Sequence, residues 1–150
     1  CSVSINGTEV TEALFTPEIS EGSSKVATFP GVRQELVRRQ QEIAQNQAVV
    51  MEGRDIAIRV LPQADLKIYM TADLRVRATR RLQDLLNKGY VKTLEEVVKE
   101  TENRDYQDSH READPLTVAP EAWVLDTTNM TIPEVVGKIC TELKQRRLLL

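Results

Sequence analysis

The sequence holds few of the residues that mark metalloproteins, disulfide-rich proteins and nucleic-acid-binding proteins. Its 150 residues include two cysteines, one histidine and 4% aromatic residues, and the net charge is −3. Cys1 and Cys140 lack the spacing of a disulfide framework or a zinc site, so we expect a reducing cytoplasm and no structural metal. His110 stands alone and is expected on the surface. The negative charge and scarce aromatics argue against nucleic acid and anionic membrane as partners.

Long hydrophobic runs are also absent. No apolar stretch approaches the roughly 18 residues of a membrane span, and no signal-peptide pattern opens the chain. With 41% hydrophobic and 29% charged residues, the composition is that of one globular domain, or of a domain with a small insertion. The chain begins with Cys1 rather than methionine, which favours a longer protein whose front portion is missing from this sequence.

Short apolar segments alternate with helical patterns. Asn6-Gly7 predicts a hairpin near the start, because both residues tolerate positive φ. Thr16-Pro17 predicts the beginning of a helix that runs toward Phe29, and Pro30-Gly31 separates it from a second helix. Three apolar segments predict buried strands: Ala48–Met51, Leu66–Met70 and Trp123–Leu125. Alternating strands and helices predict an α/β fold with a parallel sheet covered on both faces.

The later helices carry clear boundary signals. An apolar stripe that includes Ala78 and Leu85 predicts a helix closed by Gly89. Two Thr-x-x-Glu capping boxes predict the starts of the next helix and the last one. These boxes are Thr93 with Glu96, and Thr131 with Glu134.

The run Glu52-Gly53-Arg54-Asp55 directly follows the first predicted strand of the sheet. Ligands of open α/β sheets bind just beyond the carboxyl ends of their strands. An arginine fork and a carboxylate at this point could together hold a ligand that carries a phosphate and an amino group. The alternative is a turn whose charges face water.

A second charged group lies between residues 103 and 111. On a helix, spacings of four and three place Arg104, Asp108 and Arg111 on one face. Asp108 could then hold either arginine and leave guanidinium nitrogens for phosphate oxygens. The alternative is an ion pair on a helix surface, worth roughly 0.2–0.5 kcal/mol.

A third group is the basic run Arg75, Arg77, Arg80 and Arg81. Arg77 and Arg81 share a helical face, as befits a phosphate clamp. The alternative is a solvated helix face, which is what most such runs form.

In this order, the segments resemble bacterial cytidylate kinases, which are nucleoside-monophosphate kinases of the P-loop fold. The resemblance covers nearly the whole chain, and its motifs are specific in combination. The matching segments are Thr16-Pro17-Glu18, Phe29-Pro30-Gly31-Val32-Arg33, Glu52-Gly53-Arg54-Asp55-Ile56, Leu61-Pro62, Ala64-Asp65-Leu66-Lys67-Ile68, Arg104-Asp105, Asp108 to Arg111, Asp114-Pro115-Leu116 and Leu125-Asp126-Thr127-Thr128.

The resemblance implies a nucleoside-monophosphate-kinase-like parallel sheet with helices on both faces. The first strand and the P-loop are absent, and a small inserted monophosphate-binding subdomain is present. The implied divisions are an insertion over residues 1–45, a core over 46–72 and 115–150, and a lid region over 73–114. The complete protein is expected to be a cytoplasmic monomer.

The implied reaction transfers the γ-phosphoryl group of ATP, with Mg²⁺, to CMP or dCMP. The resemblance places Ser24, Arg33 and Asp55 on the cytosine, and Arg104 and Asp108 near the sugar. Arg54 and Arg111 match arginines on the substrate phosphate, and these two are the expected catalytic residues. Arg77 and Arg81 are the expected ATP contacts, and no protein metal ligand is expected in this chain.

The chain departs from the family pattern at three places. Ala57-Ile58 stands where a glycine and a threonine are usual, and Arg59 follows. Gln107 occupies an often basic position, and Asp114 a position that is usually small. These differences bear on rate and affinity.

The family's phosphate-binding loop, G-x-x-x-x-G-K-[ST], does not occur in these 150 residues. Gly137-Lys138 lies in the last predicted helix and lacks both the earlier glycine and the following hydroxyl residue. In the family the loop follows a strand that lies between the strands at 48–51 and 66–70. We therefore expect unpaired strand edges there, and a chain that alone neither binds ATP specifically nor transfers phosphate.

Three hypotheses follow. The first is the C-terminal majority of a (d)CMP kinase. The second is a relative without a P-loop that binds a nucleotide or another partner without kinase activity. The third is the tail of a bifunctional fusion enzyme, with a partner such as a pantoate-activating ligase. The DNA upstream of the Cys1 codon distinguishes them.

Overall fold

The computed structural model describes residues 2–110 and 115–148. The chain divides into two compact units. The first holds the described residues up to Val49, and the second holds Val50–His110 and the residues from Pro115 onward.

The first unit opens with a small antiparallel hairpin, as predicted. Strand β1 spans Ser4–Ile5 and strand β2 spans Thr8–Glu9. Asn6 and Gly7 connect them with φ values of 50° and 81°. Two successive left-handed residues make the type I′ turn, whose twist matches that of a hairpin.

Two helices complete the first unit after a 3₁₀ turn at Ala13–Phe15. Helix α1 spans Pro17–Val26, and the side chain of Thr16 accepts a hydrogen bond from the backbone N–H of Ile19 at 3.3 Å. Helix α2 spans Pro30–Ala44, with Pro30 in its first turn. The start at Pro17 was predicted, because proline suits a position whose N–H has no partner within the helix. Pro30-Gly31 was predicted to separate the two helices, but both residues belong to the first turn of α2, where proline is tolerated for the same reason.

The second unit contains a two-stranded parallel sheet. Strand β3 spans Ile68–Thr71 and strand β4 spans Trp123–Asp126. Ile68 lies opposite Trp123, and Thr71 lies opposite Asp126. Both strands were predicted, although β3 begins two residues later than the sequence suggested. The unit therefore has the α/β character that the alternating pattern predicts.

The predicted buried strand at 48–51 is wrong. The backbone of these residues is irregular, and Val50 is fully exposed. A strand requires a neighbour that accepts and donates its backbone hydrogen bonds. Among the described residues, the parallel sheet consists of β3 and β4 alone, so this segment has no neighbour.

The best-packed part of the second unit lies between two helices. Helix α3 spans Leu74–Asn87 and helix α4 spans Leu94–His110. Ala78, Leu85 and Val97 are almost completely buried where the two helices meet. At the start of α4, the predicted capping box is present: the N–H of Thr93 donates to Glu96 at 2.7 Å, and the N–H of Glu96 donates to Thr93 at 3.3 Å.

Gly89 closes α3 as predicted. Its φ is +81°, and its N–H donates to the carbonyl of Leu86 at 2.9 Å while that of Tyr90 donates to Leu85 at 3.0 Å. This pair of bonds is the Schellman motif, which requires a left-handed residue that glycine adopts without strain.

We expect Gly89→Ala to lower the free energy of unfolding by about 1 kcal/mol, because alanine is strained at positive φ. Gly137→Ala is the matched control. Gly137 lies inside the last helix, and an added Cβ would meet no atom within 4 Å. There, alanine should stabilise the chain by roughly 0.5–1 kcal/mol. Urea denaturation of both variants checks the contrast, and equal effects of the same sign would contradict it.

The last helix, α5, spans Ile132–Gln145 and begins at the predicted capping box. The N–H of Thr131 donates to Glu134 at 2.7 Å. This bond and that from the Thr131 hydroxyl lower the pKa of Glu134. No residue of α5 is buried, and Ile132 is largely exposed.

Within the described ranges, no helix is long and apolar enough to cross a membrane.

Candidate anion-binding site

In the turn at 52–55, the side chain of Ile56 packs closely against the backbone of Gly53. A π-helical turn follows at Ile56–Val60, where the N–H of Leu61 donates to the carbonyl of Ile56 at 2.7 Å. A Cβ on Gly53 would lie 2.8 Å from Cγ1 of Ile56. Glycine is therefore the residue that allows Ile56 to pack back against the turn. The family departure at Ala57 and Ile58 lies within this π-helical turn, a form frequent at functional sites.

Arg54 and Asp108, which the family resemblance assigns to one site, are in direct contact. Nε of Arg54 lies 2.9 Å from Oδ2 of Asp108. Nε of Arg104 lies 4.0 Å from the same oxygen, one helical turn away on α4. The backbone carbonyl of Asp108 accepts a hydrogen bond from the N–H of Leu116 at 2.7 Å. A single carboxylate thus pairs with Arg54 and lies at the outer limit of ion-pair distance from Arg104, two arginines that are 50 residues apart in sequence.

The electrostatic balance of this Arg54–Asp108–Arg104 cluster favours an anion. Asp108 is only 6% exposed, and its Oδ2 is buried without a partner in hydrogen-bond geometry. The contact with Arg54 is therefore an ion pair whose N–H is not aligned with the oxygen. Two cations and one anion leave a net charge of +1. Among the described residues, the two terminal nitrogens of Arg54 have no partner, so they could donate to phosphate oxygens.

Three of the four arginines of α3 have distinct environments. Nε of Arg77 donates to the carbonyl of Ala72 at 2.9 Å, and its Nη1 lies 2.7 Å from Oδ2 of Asp105. Arg80 is directed to the turn after β4. The side chain of Arg81 makes no hydrogen bond or ion pair within the described part of the chain. The solvated-face interpretation therefore does not fit Arg77 or Arg80.

Arg80 binds the segment that follows β4. It donates to the hydroxyl of Thr127 at 3.2 Å and to the carbonyls of Thr127 and Met130 at 2.6 and 3.1 Å. The buried hydroxyl of Thr127 donates to the carbonyl of Thr71 at 3.0 Å. These bonds hold the carboxyl ends of the two strands together.

Asp126 and Thr128 complete this strand-end network. Oδ1 of Asp126 accepts from the hydroxyl of Thr128 at 2.6 Å and from its N–H at 2.8 Å, and both bonds lower the pKa of Asp126. Thr128 in turn accepts from the N–H of Asp73, the N-cap of α3, at 2.9 Å.

The remaining predicted site residues belong to the second unit, to the first unit or to the part of the chain outside the described residues. Asp55 is half-buried at the start of the π-helical turn, and its carbonyl accepts from the N–H of Arg59 at 2.8 Å. In the first unit, Ser24 is half-buried on α1. Arg33 is buried on α2 and donates to the carbonyl of Ala27 at 3.5 Å. Arg111 and Asp114 lie outside the described residues.

Sequence reasoning missed two residues of this region. Asp105, the partner of Arg77, precedes Asp108 by three residues, and that spacing was a usable signal because it is close to one helical turn. Thr127, the partner of Arg80, had no local signal, since its contacts join residues about 50 positions apart.

Metal ligands do not converge in the described residues. No three His, Cys, Asp or Glu side chains among them form a group that could hold an ion. His110 is exposed, as predicted, and its ring stacks on Tyr106 with centroids 4.0 Å apart.

These features define an α/β protein with a candidate phosphate-binding cluster of arginines on a buried carboxylate. The family model for cytidylate kinase matches residues 1–145. The chain belongs to the cytidylate kinase family.

Curated relatives named cytidylate kinase agree with this assignment. The protein of Ligilactobacillus salivarius is 46% identical over 144 residues, which cover 96% of this chain and 64% of that protein. The proteins of Leuconostoc mesenteroides and Bacillus thuringiensis are 47% and 48% identical over 137 residues, which cover 91% of this chain and 61% of each protein. The chain thus spans 61–64% of the length of these relatives.

Proposed function

We propose that this chain is the C-terminal majority of a nucleoside monophosphate kinase that transfers the γ-phosphoryl group of ATP to CMP or dCMP. The observation that carries the proposal is the Arg54–Asp108–Arg104 cluster, in which a buried carboxylate pairs with one arginine and lies 4.0 Å from the other. Such transfer depends mainly on positioning and on neutralising charge, so arginines matter more than a nucleophilic side chain.

Arg54 binds the phosphate of the acceptor nucleotide in this proposal. Asp108 pairs with Nε of its guanidinium, and the terminal nitrogens are the donors proposed to bind the phosphate. Because these donors are already in place before the reaction, they stabilise the charge that develops during transfer without further reorganisation. By the family resemblance, Arg111 shares this catalytic role, and Arg104 and Asp108 lie near the sugar.

Asp55 reads the base. Cytosine presents an exocyclic amine, and a carboxylate can only accept, so the two are complementary. Uracil presents an oxygen at that position, which leaves the carboxylate facing another acceptor. Ser24 and Arg33 of the first unit are the further proposed cytosine contacts, through donation to its acceptor atoms.

ATP is the proposed phosphoryl donor, with Arg77 and Arg81 on its phosphates. The described residues offer no converging carboxylates for Mg²⁺. Mg²⁺ usually keeps several waters and binds mainly through substrate phosphates, so we propose that the phosphates of ATP supply its ligands. No G-x-x-x-x-G-K-[ST] loop occurs in the sequence, so the 150 residues alone should not catalyse transfer.

The proposed division of labour follows the family. Residues 1–45 form the monophosphate-binding insertion, residues 46–72 and 115–150 form the core, and residues 73–114 form the lid region that excludes water. The complete protein is proposed to act as a monomer on small-molecule substrates.

The test compares the 150-residue chain with an extended enzyme, defined as this chain continued upstream along its gene to the length of its relatives. Both are assayed with ATP and each of CMP, dCMP, UMP and AMP. We expect the extended enzyme to phosphorylate CMP and dCMP in preference to the others, and the short chain to show no turnover. Arg54→Ala should abolish most of the activity, whereas Arg75→Ala, at an exposed position of α3, should not.

Two results would contradict the proposal. Turnover by the short chain would refute the need for the phosphate-binding loop. An extended enzyme that binds CMP without phosphorylating it, or an upstream sequence that encodes no such loop, would instead support a nucleotide-binding relative without kinase activity.

A further inference from the structure

Helix α4 carries two carboxylates almost one turn apart, and each holds a different arginine. Asp108 holds Arg54, which belongs to the proposed acceptor site. Asp105 holds Arg77 of α3, which belongs to the proposed donor site. Neither the family assignment nor the proposed function gives Asp105 a role.

The contacts of Arg77 fix the plane of its guanidinium group. Nε donates to the carbonyl of Ala72, the residue that follows β3, at 2.9 Å. Nη1 meets Oδ2 of Asp105 at 2.7 Å. Because the guanidinium is planar, two anchored nitrogens determine where the third one lies. Nη2 has no partner among the described residues, so its donors are free to meet a ligand.

We propose that Asp105 is a positioning residue that orients Arg77 for the phosphates of the donor nucleotide. This inference rests on the proposed function, in which Arg77 contacts ATP. Without Asp105, Arg77 keeps only the bond to Ala72 and can rotate about it. The carboxylate also ties α3 to α4 near Asp108, so the arginines of the donor and acceptor sites are held by one helix.

Neighbouring charges support a specific role for Asp105. Arg80 is already bound to the turn after β4, and Arg81 has no carboxylate partner in the described ranges. Both Arg77 and Asp105 have 36% exposed side chains, so a ligand can reach the pair from solvent. An ion pair that is this exposed contributes little to the stability of the fold. A stabilising role alone therefore does not account for it.

The experiment is a double-mutant cycle in the extended enzyme, with Asp105→Asn, Arg77→Ala and the combination of the two. We expect Asp105→Asn to raise KM for ATP about two- to fivefold, in line with the strength of partly exposed ion pairs, and to leave KM for CMP within twofold. In the Arg77→Ala background, Asp105→Asn should have no further effect on KM for ATP. Asp105→Glu should restore part of the loss.

Asp84→Asn is the matched control, since the side chain of Asp84 is exposed on α3 without a partner among the described residues. This variant should leave kcat and both KM values unchanged.

The inference is overturned if Asp105→Asn acts equally with and without Arg77, or if it changes only the midpoint of urea denaturation. An extended wild-type enzyme that fails to phosphorylate CMP would overturn the proposed function and this inference together. Failure of the positioning role alone leaves the wild-type activity intact, so the two failures are distinguishable.

Discussion

Asp108→Asn is expected to raise KM for CMP about 10- to 30-fold in the extended enzyme. Removing one member of a buried charged pair typically costs several kcal/mol. Here the cost is smaller, because the side chain of Arg54 is 44% exposed and partly solvated. Without the carboxylate, Arg54 and Arg104 repel each other, and neither is held in place for the acceptor phosphate. KM for ATP should change by less than twofold.

Steady-state kinetics with each substrate varied in turn provides the measurement. The neutral amide keeps the size of the side chain, so the variant isolates the loss of charge. Urea denaturation of the 150-residue chain should show a loss of about 1–2 kcal/mol, since the arginines become unpaired beside a buried group. A proportional rise in both KM values would show that Asp108 supports the fold in general rather than the acceptor site.

Asp55→Ala is expected to raise KM for CMP about 10- to 100-fold and to leave KM for ATP nearly unchanged. A hydrogen bond between a carboxylate and the cytosine amine is charge-assisted, and such bonds contribute roughly 1.5–3 kcal/mol. Because alanine has no acceptor, the amine would be left unpaired in the site.

Asp55→Asn tests the chemistry more closely. An amide can donate as well as accept, so this variant should lose much of the preference for CMP over UMP. The comparison requires kcat/KM for both nucleotides with each variant. Equal effects of Asp55→Ala on the two substrates, CMP and ATP, would place Asp55 outside the base site.

Local boundary signals in the sequence proved to be reliable. The hairpin at Asn6-Gly7, the helix start at Pro17 and the glycine cap at Gly89 all occur where predicted. Each depends on a backbone angle or a hydrogen bond within a few residues. No distant part of the chain is needed to form it.

The apolar segment at 48–51 shows the opposite case. Its composition is that of a buried strand, yet Val50 is fully exposed. Composition reports which residues suit a sheet interior, whereas a strand forms only against a neighbouring strand. The pairing of β3 with β4 joins residues more than 50 positions apart, so no local pattern could have specified it.

The arginines illustrate the same division within the candidate site. Spacing alone placed Arg104 and Asp108 on one helical face, and they do lie there. Spacing could not reveal that the nearer partner of Asp108 is Arg54, or that Asp105 pairs with Arg77. The resemblance grouped Arg54 with Asp108 in one site, but it did not indicate which atoms meet.

By itself, the sequence determined the α/β class, the boundaries of most helices and the residue types suited to a phosphate ligand, because caps, turns and periodic apolar positions act over short distances. Only the tertiary structure decided which strands pair, which arginine each aspartate holds and which guanidinium nitrogens remain unpartnered. Those outcomes depend on packing between segments far apart in the chain, where burial and charge neutralisation select one arrangement among many with the same local pattern.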